Sequence, residues 1–124
     1  MRLILGGAYQ GKLAFAKTRF GLKEDDVFSC QSDEIDFSFR CIDRLEEYTL
    51  ACVRAGKDPL ALFAAHRAEW SDSVLICRDI FCGVVPLDPL DRAWRQATGH
   101  LCRMLADEAE QVSRIFCGLE LRLK

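Results

Sequence analysis

The stretch Gly6-Gly7-Ala8-Tyr9-Gln10-Gly11-Lys12-Leu13 has the residue types and spacing of a phosphate-binding loop. Glycines let a backbone wrap closely around an anion and take positive φ angles. A helix starting directly after them offers free N–H groups and the positive end of its dipole. Lys12 adds a mobile cation for the outer phosphates of a nucleotide. The next position in such a loop is Ser or Thr, whose hydroxyl reaches Mg²⁺. Here it is Leu13, which has no ligand atom. The chemistry to expect is a nucleotide cradle formed by Gly6, Gly7, Ala8, Tyr9, Gln10, Gly11, Lys12 and Leu13. A nucleotide is the expected ligand, and Leu13 weakens its Mg²⁺. A glycine-rich strand-to-helix turn with a solvated lysine is the bland alternative.

The elements around this loop have to present it. Residues 2–5, RLIL, read as a buried strand delivered into the turn, and 12–19 read as a helix stopped by Gly21. Val27 to Cys30 is a second strand. Residues 30–40 are polar and acidic, a loop with an extended piece at 36–39. Asp33, Glu34 and Asp36 there read as solvated rather than metal-binding. Residues 41–55 follow a helical rhythm that places Cys41, Ile42, Leu45, Tyr48, Thr49, Cys52 and Val53 on one face. Asp58 and Pro59 cap and start another helix, with Leu60, Phe63, Arg67 and Trp70 along one side.

The continuous apolar run 74–77 predicts a strand covered on both faces, and a loop rich in Pro and Gly follows at 78–91. A helix from about 89 to 110 buries Leu90, Ala93, Trp94, Ala97, Leu101, Leu105 and Ala109. A strand at 112–117 leads through Gly118 into LELRLK, whose alternation predicts a half-exposed edge strand turning back antiparallel. The order predicts one α/β domain over residues 1–124. Its fold is a P-loop NTPase-like three-layer sandwich with a mainly parallel sheet and an antiparallel C-terminal strand.

Composition narrows the function classes. The chain has 124 residues, half of them hydrophobic, and a formal net charge of −2 with both signs mixed along it. That gives no basic face for nucleic acid. No apolar run is long enough for a membrane span, and a cytoplasmic location is the default expectation. The seven cysteines form no C-x-x-C pair, so buried reduced thiols are expected rather than zinc or disulfides. Cys77 and Cys82 flank the 78–91 loop and are the two candidates for reactivity.

A second constellation lies at 76–118. Gly83-Val84-Val85-Pro86 is followed on a helix by Arg92, Trp94, Arg95 and Gly99, then by Leu105-Ala106, Val112 and Cys117-Gly118. With Leu5-Gly6-Gly7-Ala8 and Gly11-Lys12, these residues resemble the adenosylcobinamide kinase / adenosylcobinamide-phosphate guanylyltransferase family. The resemblance covers roughly residues 1–20 and 74–124, while the middle does not match. The chain departs from the family pattern at several places. Leu13 stands for the Mg²⁺-binding Ser, Arg78-Asp79 for Asn-Glu, Phe81 for Gly, Gln96 for Asp, and Cys102-Arg103 for Asn-Gln. The His-rich segment that carries the guanylylated histidine has no counterpart between residues 20 and 73. His66 reads as a surface or packing residue, and nothing near His100 singles out a role.

The resemblance implies a divergent, shortened member that binds a purine nucleotide and phosphorylates a hydroxyl in cobalamin biosynthesis, with the guanylyltransferase half lost. Lys12 is then catalytic, and so is Asp79, at the end of the central strand, where it holds metal through water. Arg92 and Arg95, three apart on one helix side, contact phosphate or substrate. The partners implied are a nucleotide, a corrinoid or other small-molecule acceptor, and further copies of the chain, since family members form ring-like oligomers. The competing reading is a non-catalytic binding or assembly subunit that keeps the fold without the activity.

Overall fold

The computed structural model describes all 124 residues. Strand β1 (Arg2–Gly6) leads into helix α1 (Lys12–Phe20), and a 3₁₀ turn (Glu24–Asp26) precedes β2 (Val27–Ser29). Then come β3 (Cys41–Asp43), α2 (Leu45–Ala55), α3 (Pro59–Ala65), α4 (Arg67–Trp70), β4 (Val74–Arg78), α5 (Pro89–Glu108), β5 (Gln111–Phe116) and β6 (Leu119–Arg122). They build one six-stranded sheet in the order β2-β3-β4-β1-β5-β6. All pairs are parallel except β5–β6. The α/β, mainly parallel reading with an antiparallel C-terminal strand describes this sheet.

Alternating residues of the central strands explain the three layers. Leu3, Ile42, Leu75, Cys77 and Val112 face the side covered by α2, α3 and α5, where they join Leu45, Tyr48, Phe63, Trp70, Leu101 and Leu105. Ile4, Cys41, Val74, Ile76 and Ile115 face the other side, where Ala16 of α1 packs against them. A parallel sheet covered on both faces needs continuous apolar strands, and RLIL and VLIC supply them. On the thicker side the Trp70 indole N–H donates to the carbonyl of Phe63 at 2.7 Å, and the Tyr48 hydroxyl to that of Pro59 at 2.8 Å. The large aromatics therefore bury their rings without leaving a polar atom unpaired.

Several expectations need correction. Residues 41–55 are not one helix. Cys41 and Ile42 lie in β3, and Arg44, in the left-handed region at φ 62°, separates it from α2. A three-residue strand packed on both faces leaves too short a trace for periodicity to detect. Residues 36–39 form a turn rather than an extended piece, because the Asp36 carboxylate accepts from both the N–H and the hydroxyl of Ser38. The helix begun at Asp58 breaks at His66, whose φ and ψ are not helical. Helix α5 ends at Glu108 and buries Thr98 and Cys102, while Ala93 is exposed. Strand β6 is exposed throughout rather than by halves, because α5 does not reach over it.

Phe63 is fully buried and meets Phe37, Tyr48 and Trp70 edge-on or tilted, at centroid distances of 5.3–5.8 Å. Phe63→Ala is expected to lower unfolding free energy by about 3–5 kcal/mol in urea titration.

Candidate functional site

The site lies at the carboxyl ends of β1, β3 and β4, the usual place for ligands in a parallel sheet. Gly6 ends β1 directly beside Arg78 of β4. A Cβ on Gly6 would stand 2.5 Å from the carbonyl oxygen of Ile115, so nothing but glycine fits there. The loop then turns back through Tyr9 at φ 59° and Gly11 at φ 89° to enter α1. No side chain caps the start of α1, so its first-turn amides are left for another acceptor. Lys12 curls over the loop, its ammonium donating to the carbonyl of Gly7 at 2.6 Å. Burial pulls its pKa down, and the nearby Glu46 and Asp43 carboxylates oppose that shift.

Gln10 plays a role that spacing did not reveal. Its side-chain oxygen accepts from the N–H of Cys117 at 2.7 Å, and its main-chain carbonyl accepts from Gly118 at 2.9 Å. The loop is thereby latched to the two-residue turn between β5 and β6. Ala8 and Tyr9 stand exposed at the tip, and Leu13 packs into the core on the α1 side.

Four charged residues that the loop motif did not point to gather here. Asp43 ends β3, is almost buried, and accepts from the N–H of Arg44 at 2.8 Å. Burial pushes its carboxyl pKa up, and the bond from Arg44 only partly offsets this. Glu46, on the first turn of α2, is buried and accepts the N–H of Arg78 at 2.9 Å, with the Arg78 guanidinium 4.0 Å away. Arg114 of β5 reaches Asp79 at 3.3 Å. The signal for Asp43 was present in the sequence, as an acidic residue ending the apolar pair Cys41-Ile42, but it was absorbed into a helical reading.

Asp79 stands where the sequence reading puts it, its N–H donating to the carbonyl of Gly6 at 2.8 Å. One of its carboxylate oxygens is buried with no hydrogen-bond partner. Arg92 and Arg95 hold the 81–88 loop rather than an open pocket. Arg92 donates to the carbonyls of Pro86 and Leu87, and Arg95 to those of Phe81, Gly83 and Val84. The loop they hold presents Val84, Val85 and Leu87 to solvent.

The phosphate fit and the metal fit differ. The loop offers uncapped amides and a cation. No group of three or more His, Cys, Asp or Glu side chains is arranged to hold a metal ion.

The remaining candidates are structural. Asp33 pairs with Lys57, and the His66 ring stacks on Phe37 with its Nδ1 at 3.0 Å from Glu69. All seven cysteines are free thiols, five of them buried. Cys77 is buried, and its contact with Cys102, together with that burial, pushes its thiol pKa up. The exposed Cys82 is raised by the Asp79 carboxylate. An open depression of about 840 Å³ is lined by Phe28, Ile35, Phe37, His66 and Glu69 among others, and shares no residue with the glycine loop.

Comparison with known families bears on what this geometry is for. Residues 42–123, about two thirds of the chain, match the family described as cobinamide kinase / cobinamide phosphate guanyltransferase. The chain belongs to that family. The match supports a kinase- or guanylyltransferase-like role in cobalamin biosynthesis, and enzymes of this family act on nucleotide and corrinoid substrates. It begins at Ile42, so it takes in β3 and α2, which the sequence reading left outside the resemblance, whereas the glycine loop precedes it. No match to a curated protein was found. No helix is long and apolar enough to cross a membrane.

The raised pKa of Asp43 has a stability consequence. A carboxyl whose folded pKa exceeds its unfolded value costs stability once pH rises through the folded pKa, and the cost disappears in acid. Asp43→Asn keeps the oxygen that accepts from Arg44. It is expected to raise the melting temperature at pH 7. The gain should vanish as pH falls to the ordinary carboxylate range, which thermal melts from pH 7 to pH 4 would follow.

Proposed function

We propose that this family member binds the triphosphate of a purine nucleotide, ATP or GTP, on the Gly6–Leu13 loop and uses it for phosphoryl transfer to a hydroxyl. The observation that carries the reading is the uncapped start of α1 under a half-buried Lys12, beside a Gly6 that admits no side chain. The first-turn amides would take the inner phosphates. Lys12 would leave the Gly7 carbonyl for the outer ones, exchanging a neutral acceptor for a charged one. Phosphoryl transfer asks the protein chiefly for positioning and charge stabilisation, which amides and an ammonium group supply.

Asp79, directly after β4, would hold a Mg²⁺ through water. The ion would screen the phosphate charge, with phosphates and water supplying most of its ligands. Leu13 removes the hydroxyl ligand, and Arg114 neutralises part of Asp79's charge, so we infer weak metal dependence. The acceptor, a corrinoid or another small molecule, would meet the apolar Val84, Val85 and Leu87 on the loop that Arg92 and Arg95 hold. Arg92 and Arg95 then act on the substrate by fixing that loop. Guanylyl transfer through a histidine is not part of the proposal, because His66 is occupied by Phe37 and Glu69. A second reading, a binding or assembly subunit without turnover, is favoured by Leu13 and by the Arg114–Asp79 pair.

Calorimetric titration with ATP and with GTP, with and without Mg²⁺, separates the two. Binding is expected with at least one nucleotide, weakened tenfold or more by Lys12→Ala. No binding of either at millimolar concentration leaves only the assembly reading. Leu13→Ser is expected to steepen the Mg²⁺ dependence while costing about 1–2 kcal/mol of stability, because it withdraws an apolar side chain from the core beside α1.

A further inference from the structure

We propose that Arg78 is a second phosphate-binding cation of the Gly6–Leu13 loop, supplying positive charge that lets the loop hold a nucleotide without Mg²⁺. The proposal rests on the nucleotide reading above and names the form of the ligand, the free polyphosphate rather than its magnesium complex. Arg78 ends β4 directly opposite Gly6, where the loop begins. The two-residue period of the strand puts it on the face of Val74 and Ile76, which α1 covers. It lies near enough to Lys12 for its charge to help pull the lysine pKa down. Two cations therefore stand at one end of one loop.

The fold itself does not call for an arginine there. What ties the end of β4 to α2 is the main-chain N–H of Arg78, which donates to Glu46 Oε2 at 2.9 Å. Any residue but proline has that group. The guanidinium approaches Glu46 only to 4.0 Å, beyond hydrogen-bond reach. Asp79, the next carboxylate along the chain, is engaged by Arg114 at 3.3 Å. Arg92 and Arg95 commit their donors to carbonyls of the 81–88 loop. Arg78 instead keeps its planar fork of donors free, on a side chain that is 36 % exposed and so open to a ligand.

Charge balance says why a second cation belongs here. A triphosphate carries more negative charge than Lys12 alone offsets, and a metal ion ordinarily takes up part of it. Leu13 has no hydroxyl for such an ion, and Arg114 already offsets the charge of Asp79. A guanidinium can meet two phosphate oxygens at once, which an ammonium group cannot. Glu46, buried and fixed by the Arg78 N–H, keeps the guanidinium beside the loop without closing a hydrogen bond on it. Glu46 is then a positioning residue, and Arg78 makes the contact, next to Lys12 on the outer phosphates.

Calorimetric titration of the full chain with ATP and with GTP, in EDTA and then in Mg²⁺, tests this. The unaltered chain is expected to bind in EDTA within about tenfold of its affinity in Mg²⁺. Arg78→Gln keeps the N–H that Glu46 accepts and is expected to leave the melting curve in place. It should weaken binding in EDTA by about tenfold or more, and Mg²⁺ should recover part of the loss. Arg78→Lys, with the charge but not the fork, is expected to fall between the two. Arg54→Gln, exposed at the far end of α2, controls for net charge and should bind like the unaltered chain. Binding that disappears in EDTA, or an Arg78→Gln titration that superimposes on that of the unaltered chain, overturns the proposal and leaves the nucleotide reading standing. No binding of either nucleotide in either condition overturns both.

Discussion

The closeness of two main chains governs this molecule. Gly6 passes Ile115 with no room for a Cβ between them. That approach brings the end of β1 and the end of β5 together, and the loop that follows must rise steeply before it can enter α1. Gln10 then fastens the top of the loop to the turn after β5. The loop is held at its base by steric exclusion and at its tip by two hydrogen bonds. The backbone between these two fixed points has little freedom.

Electrostatics around the loop run in one direction. Asp43 and Glu46 lie buried near Lys12, Glu46 with Arg78 beside it, and burial depresses the lysine while it raises Asp43. Two carboxylates and one ammonium group share a poorly hydrated space beside a helix N-terminus. Tyr9 and Arg44, both at positive φ, mark the turns before α1 and α2.

The sequence was most legible where one physical cause acts alone. RLIL and VLIC are apolar throughout because both faces of the sheet are covered, and they stand as strands β1 and β4. Asp58-Pro59 announces a helix by capping chemistry, and Asp58 accepts the N–H of Leu60. Legibility failed where tertiary context decides. Cys41 and Ile42 suit a helix face or a short strand equally well, and only their neighbours in the sheet choose. The same ambiguity hid Asp43 and Glu46. The leucines of β6 alternate as a covered strand would, yet whether a layer lies above them depends on where α5 ends. Arg92 and Arg95 show a further limit, since spacing shows that they share a helix side and not that loop carbonyls accept their hydrogen bonds.

One contact inside the helical layer has a consequence of its own. The hydroxyl oxygens of Thr49 on α2 and Thr98 on α5 lie 2.6 Å apart in a dry seam, and each also reaches a carbonyl of its own helix, Glu46 and Trp94. Three contacts are served by two hydroxyl hydrogens, so one hydroxyl gives up its own helix to serve the other, and the two can exchange that duty by turning together. Were α2 to slide along α5 by one residue, both oxygens would face hydrocarbon instead. This small polar pair therefore acts as an alignment pin between otherwise greasy helices.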